Sequence, residues 1–478
     1  MIEQKTAPNW GRLIGGLRPI VPFRRAHLNG PNNSRLPYGN GRSYGDSCHN
    51  DGGVLLDSRS QNAIIKIDRA NGILRAQTGI LLSEILTALK DTNWFLPVVP
   101  GTKFITLGGA IANDIHGKNH GHRGTFGCFV KNFVVATSDG QTRTCSPTQN
   151  TKLFGATIGG MGLTGFILEA EIELIRTPSH FIKEQKTPFN SLKDFIELSE
   201  TAESEHEYSV AWIDSLATGK KLGRGIFIAG DHVKCASSVH YGKPKFTVPF
   251  TPPIPLVSGL PLRVFNALYN FQSTRQKETR ITHPNSFFFP LDAIGGWNKL
   301  YGPKGLFQHQ CALPLDTGPD ALHALIRASQ LAKHGSFLTV LKRFGDHTSP
   351  GLLSFPKLGF TLTLDFPNKG EKTRALLNEL DSITLEAGGR VNPYKDARMS
   401  AETFQQGFSN WEKLEAMRDP MMMSDFWHRV TAKTVSRTSL TPPSLETSNI
   451  NQALQPPLQE HPVEPKDSAS LPQIVRKS

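Results

Sequence analysis

PGTKFITLGGAIANDIHGKNHGHRGTFG, residues 100–127, is the stretch whose reading decides the fold of this chain. It is too rich in glycine for a core segment and, at 107–111, too apolar for a loose linker. Gly101, Gly108, Gly109, Gly117, Gly121, Gly124 and Gly127 leave the backbone bare at short intervals. Bare backbone adopts positive φ and lets a flat or charged ligand lie against peptide N–H groups. The run GGAIA reads as the first turn of a helix whose amide ends face that ligand. His116 and His120 follow, with Asp114 and Lys118 close by. The stretch predicts a bed for a large, flat, phosphate-bearing cofactor; the plainer reading is a glycine-rich surface loop between strands.

Two further stretches favour the bed. In RLPYGNGRSYGDSCHNDGGVLLD (35–57), Gly39, Gly41 and Gly45 space as GxGxxxG, not as the GxGxxG of a Rossmann turn, and no helical periodicity follows. This is a tight loop forming an anion nest, with Arg42, Ser43 and Ser47 as added donors, before a strand at 54–57. The third bed lies in 151–175, with Gly159, Gly160, Gly162 and Gly165 between a helical turn and a long strand. Between the beds, 63–68 and 73–79 alternate like paired strands, and 81–90 has the period of a helix with Leu82, Ile85, Leu86 and Leu89 on one face. Residues 94–101 read as a short buried strand, and 131–146 as a hairpin with Asp-Gly at its turn.

At 478 residues the chain has room for about two domains. Its 38% hydrophobic and 20% charged residues are those of a soluble globular protein. No apolar run is long enough to span a bilayer, and residues 1–16 lack the apolar core of a secretory signal. The five cysteines are scattered and never form CxxC, which argues for a reducing compartment and against a disulfide framework or a metal site. A net charge of +12 favours polyanions or anionic membrane surfaces. Without a nucleic-acid motif, a phosphorylated substrate at a lipid surface is the better reading, and no nucleic-acid partner is expected.

PYGNGRSYGDS, PGTKFITLGGAIANDIHGKNH and LFGATIGGMGLTGFI together resemble the flavin-binding domain of the vanillyl-alcohol-oxidase family. The likeness continues through AWIDS (211–215), FPLD (289–292), WNKLYGPKGLFQHQ (297–310), SFLTVLKRFG (336–345), LSFPKLGF (353–360) and GGRVNPYKDARMSAETF (388–404). Within the family it is nearest the branch that oxidises the 2′-hydroxyl of a polyprenyl-phosphoryl ribose. The resemblance implies an α+β, two-domain fold in which an antiparallel-sheet substrate domain (179–384) is inserted into an FAD-binding domain made of 1–178 and 385–435. It places FAD on Gly39, Asn40, Gly41, Arg42, Ser43, Tyr44, Gly45, Asp46, Ser47 and Cys48, on Gly101, Thr106, Leu107, Gly108 and Gly109, on Asn113, Asp114, Ile115 and His116, and on Ile167 at the adenine end. It places Trp212, Gln308, Gln310, Lys342 and Phe344 around the substrate, with Lys395 and His116 as the catalytic pair. The nearest relatives keep their histidine free, so non-covalent FAD is expected.

The implied reaction passes hydride from a sugar carbon to the flavin while the hydroxyl gives up its proton, the first half of an epimerisation that a nicotinamide-dependent reductase completes. Lys395 is the first choice for the polar group, as an ammonium over the forming alkoxide or, if its pKa is lowered, as the base. His116 is the alternative base. Read alone, Lys395 is an ordinary lysine of a basic chain; its KDAR setting argues otherwise. Gln308 and Gln310 alternate onto one strand face, toward sugar hydroxyls or toward solvent. Lys342 meets either the substrate phosphate or solvent. Three positions depart from the family pattern. Asn392 stands where a tyrosine is expected, Phe288 lacks a hydroxyl, and Thr363 replaces a cysteine of some relatives, so a thiol-directed inactivator has no target there.

Residues 244–267 are apolar but broken by Pro252, Pro253, Pro255 and Pro261, which predicts no regular helix or central strand. They form a packed loop or a flap meeting a polyprenyl chain or a membrane, and the protein is placed in the cytoplasm, at the inner face of the membrane. Residues 436–478, rich in Ser, Thr, Pro and Gln, are expected to be disordered. Two other functions stay open: a sugar-lactone or free-sugar alcohol oxidase, and a flavin-binding protein without turnover.

Overall fold

Alternation of side chains decides which residues can meet in this molecule. The computed structural model describes residues 3–28, 33–275 and 279–432; the 436–478 expectation lies outside the described residues. Three sheets carry the fold, an α+β arrangement. Strands Glu3–Thr6, Leu17–Pro22, Val54–Asp57 and Arg35–Tyr38 form the first, mixed in direction. The second is antiparallel, in the order Ile64–Asp68, Ile73–Gln77, Phe166–Glu173, Val130–Ala136, Thr142–Cys145. The strands at 54–57, 64–68 and 73–77, the helix Leu82–Leu89 and the 130–145 hairpin fall where the sequence pattern puts them.

The third sheet has eight antiparallel strands, ordered Arg280–Thr282, Ile182–Phe189, Gly225–His232, Tyr208–Ile213, Thr339–Phe344, Gly359–Pro367, Leu306–Leu313, Arg390–Val391. Helices Leu192–Glu205, Gly318–Leu331 and Glu371–Glu386 share one apolar core with Ala211, Phe227, Phe307, Cys311, Leu341, Phe360, Leu362, Leu364 and Phe366. Successive strand residues point to opposite faces. The alternate residues Gln308, Gln310, Val340, Lys342, Thr361, Thr363 and Asp365 therefore turn away from the helices. Register sets Gln308 opposite Asp365, Gln310 opposite Thr363, and Lys342 opposite Thr361. Both faces are covered, since every residue of Leu306–Leu313 and Gly359–Pro367 is buried.

The end of the described chain returns to its beginning. Met399, Phe404, Phe426, Trp427 and Val430 share a core with Ala156, Met161 and Leu163. Backbone bonds join Arg35 to Met421 and Met423, and Arg429 Nη2 lies 2.8 Å from Asp46 Oδ1. The boundary expected at 385 falls within the helix Glu371–Glu386, which packs beneath the eight-stranded sheet.

Residues 244–267 differ from expectation. A helix runs Gly259–Arg275, and Pro261 sits in its first turn, where the missing N–H has no intrahelical partner to lose. Phe246–Thr247 pairs in parallel with Ile294–Gly295.

Candidate active site

A cleft of about 340 Å³ runs from Ser58, Thr78 and Ile167 at one end to Lys342, Thr363, Asn392 and Lys395 at the other. Gly39, Asn40, Gly41, Arg42, Ser43, Tyr44, Ser47, Cys48, Gly101, Thr106, Gly108, Gly109, Asn113, Asp114, Ile115, His116 and Ile167 line it, as do Gln308 and Gln310.

Five of the residues expected at the site stand behind this lining. Gly45 backs onto Asp396: a Cβ there would lie 1.5 Å from the Asp396 carbonyl oxygen. Asp46 is paired with Arg429. Leu107 is fully buried in the core. Trp212 packs edge-on to Tyr269 at 4.8 Å. Phe344 is buried against the rings of His116 and His120.

The glycine beds work differently from their first reading. The amide ends of the helix Leu107–Ala112 are spent within the protein: Leu107 N–H donates to Ile80 O, Gly108 N–H to Thr78 O and Gly109 N–H to Thr106 Oγ1. That helix offers no free amides, because the strand and turn at 78–80 cross its start. Among the described residues the amides of Gly41, Arg42 and Ser43 find no backbone hydrogen-bond acceptor, and Gly41 has φ +59°, the form of an anion nest. The hydroxyls of Ser47 and Ser58 are buried in the lining without a partner. A Cβ at Gly101 would meet no protein atom within 4 Å. Open amides, orphaned hydroxyls and a bare peptide suit a dinucleotide with a diphosphate and ribityl chain, so the residues fit FAD. Asp114 has another duty: its carboxylate accepts from Gly127 N, Ser349 Oγ and Ser354 Oγ, binding three loops together.

At the far end the polar residues meet. His116 Nε2 lies 3.1 Å from Gln310 Nε2, and its Nδ1 lies 3.2 Å from Lys342 Nζ. Burial, then Lys342, His120 and Lys395, hold the imidazole well below its usual pKa, so the ring is neutral. Burial, then Lys118 and Lys395, push Lys342 down to about 7. Lys395 is pushed down to about 8 by burial, against the pull of Asp365; its Nζ lies 4.4 Å over the Tyr44 ring.

Asp365 was not singled out in the sequence, although TLTLDFP carries its signal: polar residues at 361, 363 and 365 alternate with apolar ones. It is fully buried, accepts from Gln308 Nε2, and burial raises it to about 7. Gln308 in turn bonds the Tyr44 hydroxyl. Asp292, in FPLD, accepts from the backbone of Lys103 at 2.9 Å and so anchors the loop after Gly101. Thr363 lines the cleft, so its place offers a hydroxyl and no thiol.

A cleft bedded on open peptide groups and ending in lowered-pKa lysines defines a flavoprotein oxidoreductase. The FAD binding domain family matches residues 29–146. The chain is 32% identical over 432 residues to the decaprenylphosphoryl-beta-D-ribose oxidase of Mycolicibacterium smegmatis, covering 87% of this chain and 93% of that protein. Shorter matches include a D-lactate dehydrogenase of Anaerostipes hadrus (28% over 150 residues, 30% of this chain and 31% of that one) and the human Delta(24)-sterol reductase (29% over 113 residues, 23% and 22%). The chain belongs to the vanillyl-alcohol-oxidase family of FAD-binding oxidoreductases, and FAD is its cofactor.

Proposed function

We propose that the protein oxidises the 2′-hydroxyl of a polyprenyl-phosphoryl ribose to the ketosugar, and that a separate nicotinamide-dependent reductase completes the epimerisation. One observation carries the reading: Gln308, Lys342 and Lys395 line one flavin cleft beside Gln310, the amide and amines that a sugar ring needs. Bound FAD supplies the acceptor for the hydride that leaves the sugar carbon. Around it, Lys395 meets the reacting hydroxyl. As an ammonium it stabilises negative charge growing on that oxygen, and with its pKa down to about 8 it exchanges a proton near neutral pH. Gln308, held by Asp365, orients a neighbouring hydroxyl. His116 has both ring nitrogens engaged, so it orients its neighbours instead of acting as the base. In this reading 1–178 and 385–435 form the FAD domain of the two-domain family arrangement, and 179–384, which supplies seven of the eight strands of the large sheet, presents the sugar.

The lipid reaches the site from a membrane face. Among the described residues no helix is long and apolar enough to cross a membrane. Phe246, Phe250, Ile254 and Leu268 are 55–69% exposed, and residues 232–275 contain no acid but include Lys243, Lys245 and Arg263. Apolar anchors beside basic groups suit an anionic lipid surface. The five cysteines stand unpaired, which supports the inner, reducing side.

The test is anaerobic mixing of the purified protein with polyprenyl-phosphoryl ribose while the flavin absorbance is followed. Bleaching by the lipid-linked sugar, far faster than by soluble ribose, is expected. Equal rates would replace the lipid-linked substrate with a free sugar, and no bleaching by any sugar would end the reading.

A further inference from the structure

A line of polar contacts starts from a backbone amide and ends at Lys342, and each link fixes the next. The Tyr394 N–H donates to Asn392 Oδ1 at 3.0 Å. A backbone N–H can only donate, so the Asn392 oxygen faces it and the nitrogen is turned away. That nitrogen donates to Gln310 Oε1 at 2.9 Å. The Gln310 nitrogen is thereby turned to His116 Nε2 at 3.1 Å and Thr361 Oγ1 at 3.2 Å, one hydrogen for each. His116 Nε2 must accept and carries no hydrogen. A neutral imidazole with a bare Nε2 has its proton on Nδ1. Nδ1 faces Lys342 Nζ at 3.2 Å. The Nδ1–H has the Gly117 carbonyl within reach and, where Lys342 is an amine, the Lys342 lone pair; an ammonium would set a hydrogen against it, while the amine still donates to Gly117 O at 3.0 Å.

We propose that Asn392 is a positioning residue that, through Gln310, fixes the proton on Nδ1 of His116 and keeps Lys342 an uncharged amine, so that this end of the cleft accepts an uncharged sugar ring and not an anion. The burial that pushes Lys342 down to about 7 acts in the same direction. The charged and titratable groups facing the pair, Lys118, Lys395 and His120, are cationic or neutral and do nothing to restore a charge on Lys342. The substrate phosphate is then met elsewhere than at Lys342.

The sugar-ring clause rests on the function proposed above; the protonation states do not, and they are measured without substrate. The FAD-loaded protein is labelled with 15N-histidine, and the His116 signals are assigned with a His116→Asn variant. Nitrogen chemical shifts are expected to put the proton on Nδ1. Cyanate modifies only uncharged amines, so peptide mass spectrometry of protein treated across a pH series gives the Lys342 midpoint, expected near 7. Asn392→Asp keeps the acceptor for Tyr394 but has no donor for Gln310. The Gln310 amide then turns over, the His116 proton moves to Nε2, and Lys342 becomes an ammonium, with labelling at pH 7 down at least about fivefold for a midpoint raised by one pKa unit. Asn392→Ala adds no charge and is expected to give a mixture of tautomers and a raised midpoint. A proton on Nε2 in the unaltered protein overturns the inference even if neither variant folds. So does an unchanged tautomer and midpoint in both variants. Either result leaves the substrate question to the bleaching experiment.

Discussion

Replacing Gly45 with alanine puts one methyl group where the carbonyl of Asp396 already lies. The added Cβ would sit 1.5 Å from that oxygen, 2.4 Å from its carbon and 2.9 Å from the Cα of Ala397. Gly45 has φ −114° and ψ −143°, outside the left-handed region but at the edge of what alanine adopts, so the clash is the larger of two effects that act in the same direction. To reach a tolerated separation the 396–397 peptide has to retreat by roughly 1.5–2 Å. Overpacking of this kind costs about 1–3 kcal/mol. The displaced peptide adjoins Lys395, and a shift of about 1 Å at a catalytic group lowers turnover about 100-fold. Thermal unfolding and turnover per bound flavin measure the two effects; a lower melting temperature and a large loss of turnover are expected. Gly101→Ala is the control, because its Cβ meets no protein atom; it should melt normally and weaken only FAD binding. If Gly45→Ala melts and turns over like the parent, the account of how Lys395 is seated is wrong.

Lys395→Met should retain FAD and lose about 100-fold or more in turnover. In the parent, a rate that needs the Lys395 ammonium falls as pH rises through about 8; a flat alkaline limb would contradict that role. Arg429→Ala leaves the buried Asp46 carboxylate unpaired and should cost about 3 kcal/mol, read by denaturant unfolding. Burial holds His49, His120 and His334 down to about 4, 3 and 4, against about 6.5 when unfolded. Between those values the unfolded chain binds more protons. The stability these residues contribute is therefore full above about pH 6.5 and lost as pH falls toward 4, and the melting temperature should drop across that window. Acid precipitation should release all the FAD, since both nitrogens of His116 are engaged; a yellow peptide would contradict this.

The parts of the site that follow from period and register were legible in the sequence. Gln308 and Gln310 share a face because they are two apart on a strand, and the same rule applied to TLTLD would have found Asp365 opposite Gln308. The glycine beds were legible as loops, but not the reason for each glycine. Gly45 answers to a peptide 351 residues later, and the amides after Thr106 are consumed by carbonyls at 78 and 80, partners set by tertiary approach. Pro261 misled because proline breaks a helix interior yet suits a helix start, and only the position of the start separates the two. The relay from Asn392 to Lys342 was out of reach, since it depends on which way two amides turn.

The pairing of Arg429 with Asp46 spans 383 positions of the chain, and it has a consequence for biogenesis. While the protein emerges from the ribosome, the glycine-rich loop around Asp46 is exposed long before the helix Asp425–Thr431 exists to brace it. A nascent chain halted at residue 420 has every glycine bed and no brace. Such a chain is expected to hold flavin more weakly than the finished protein, which ties firm cofactor capture to completion of synthesis; equal flavin affinity of a chain ending at 420 would contradict this.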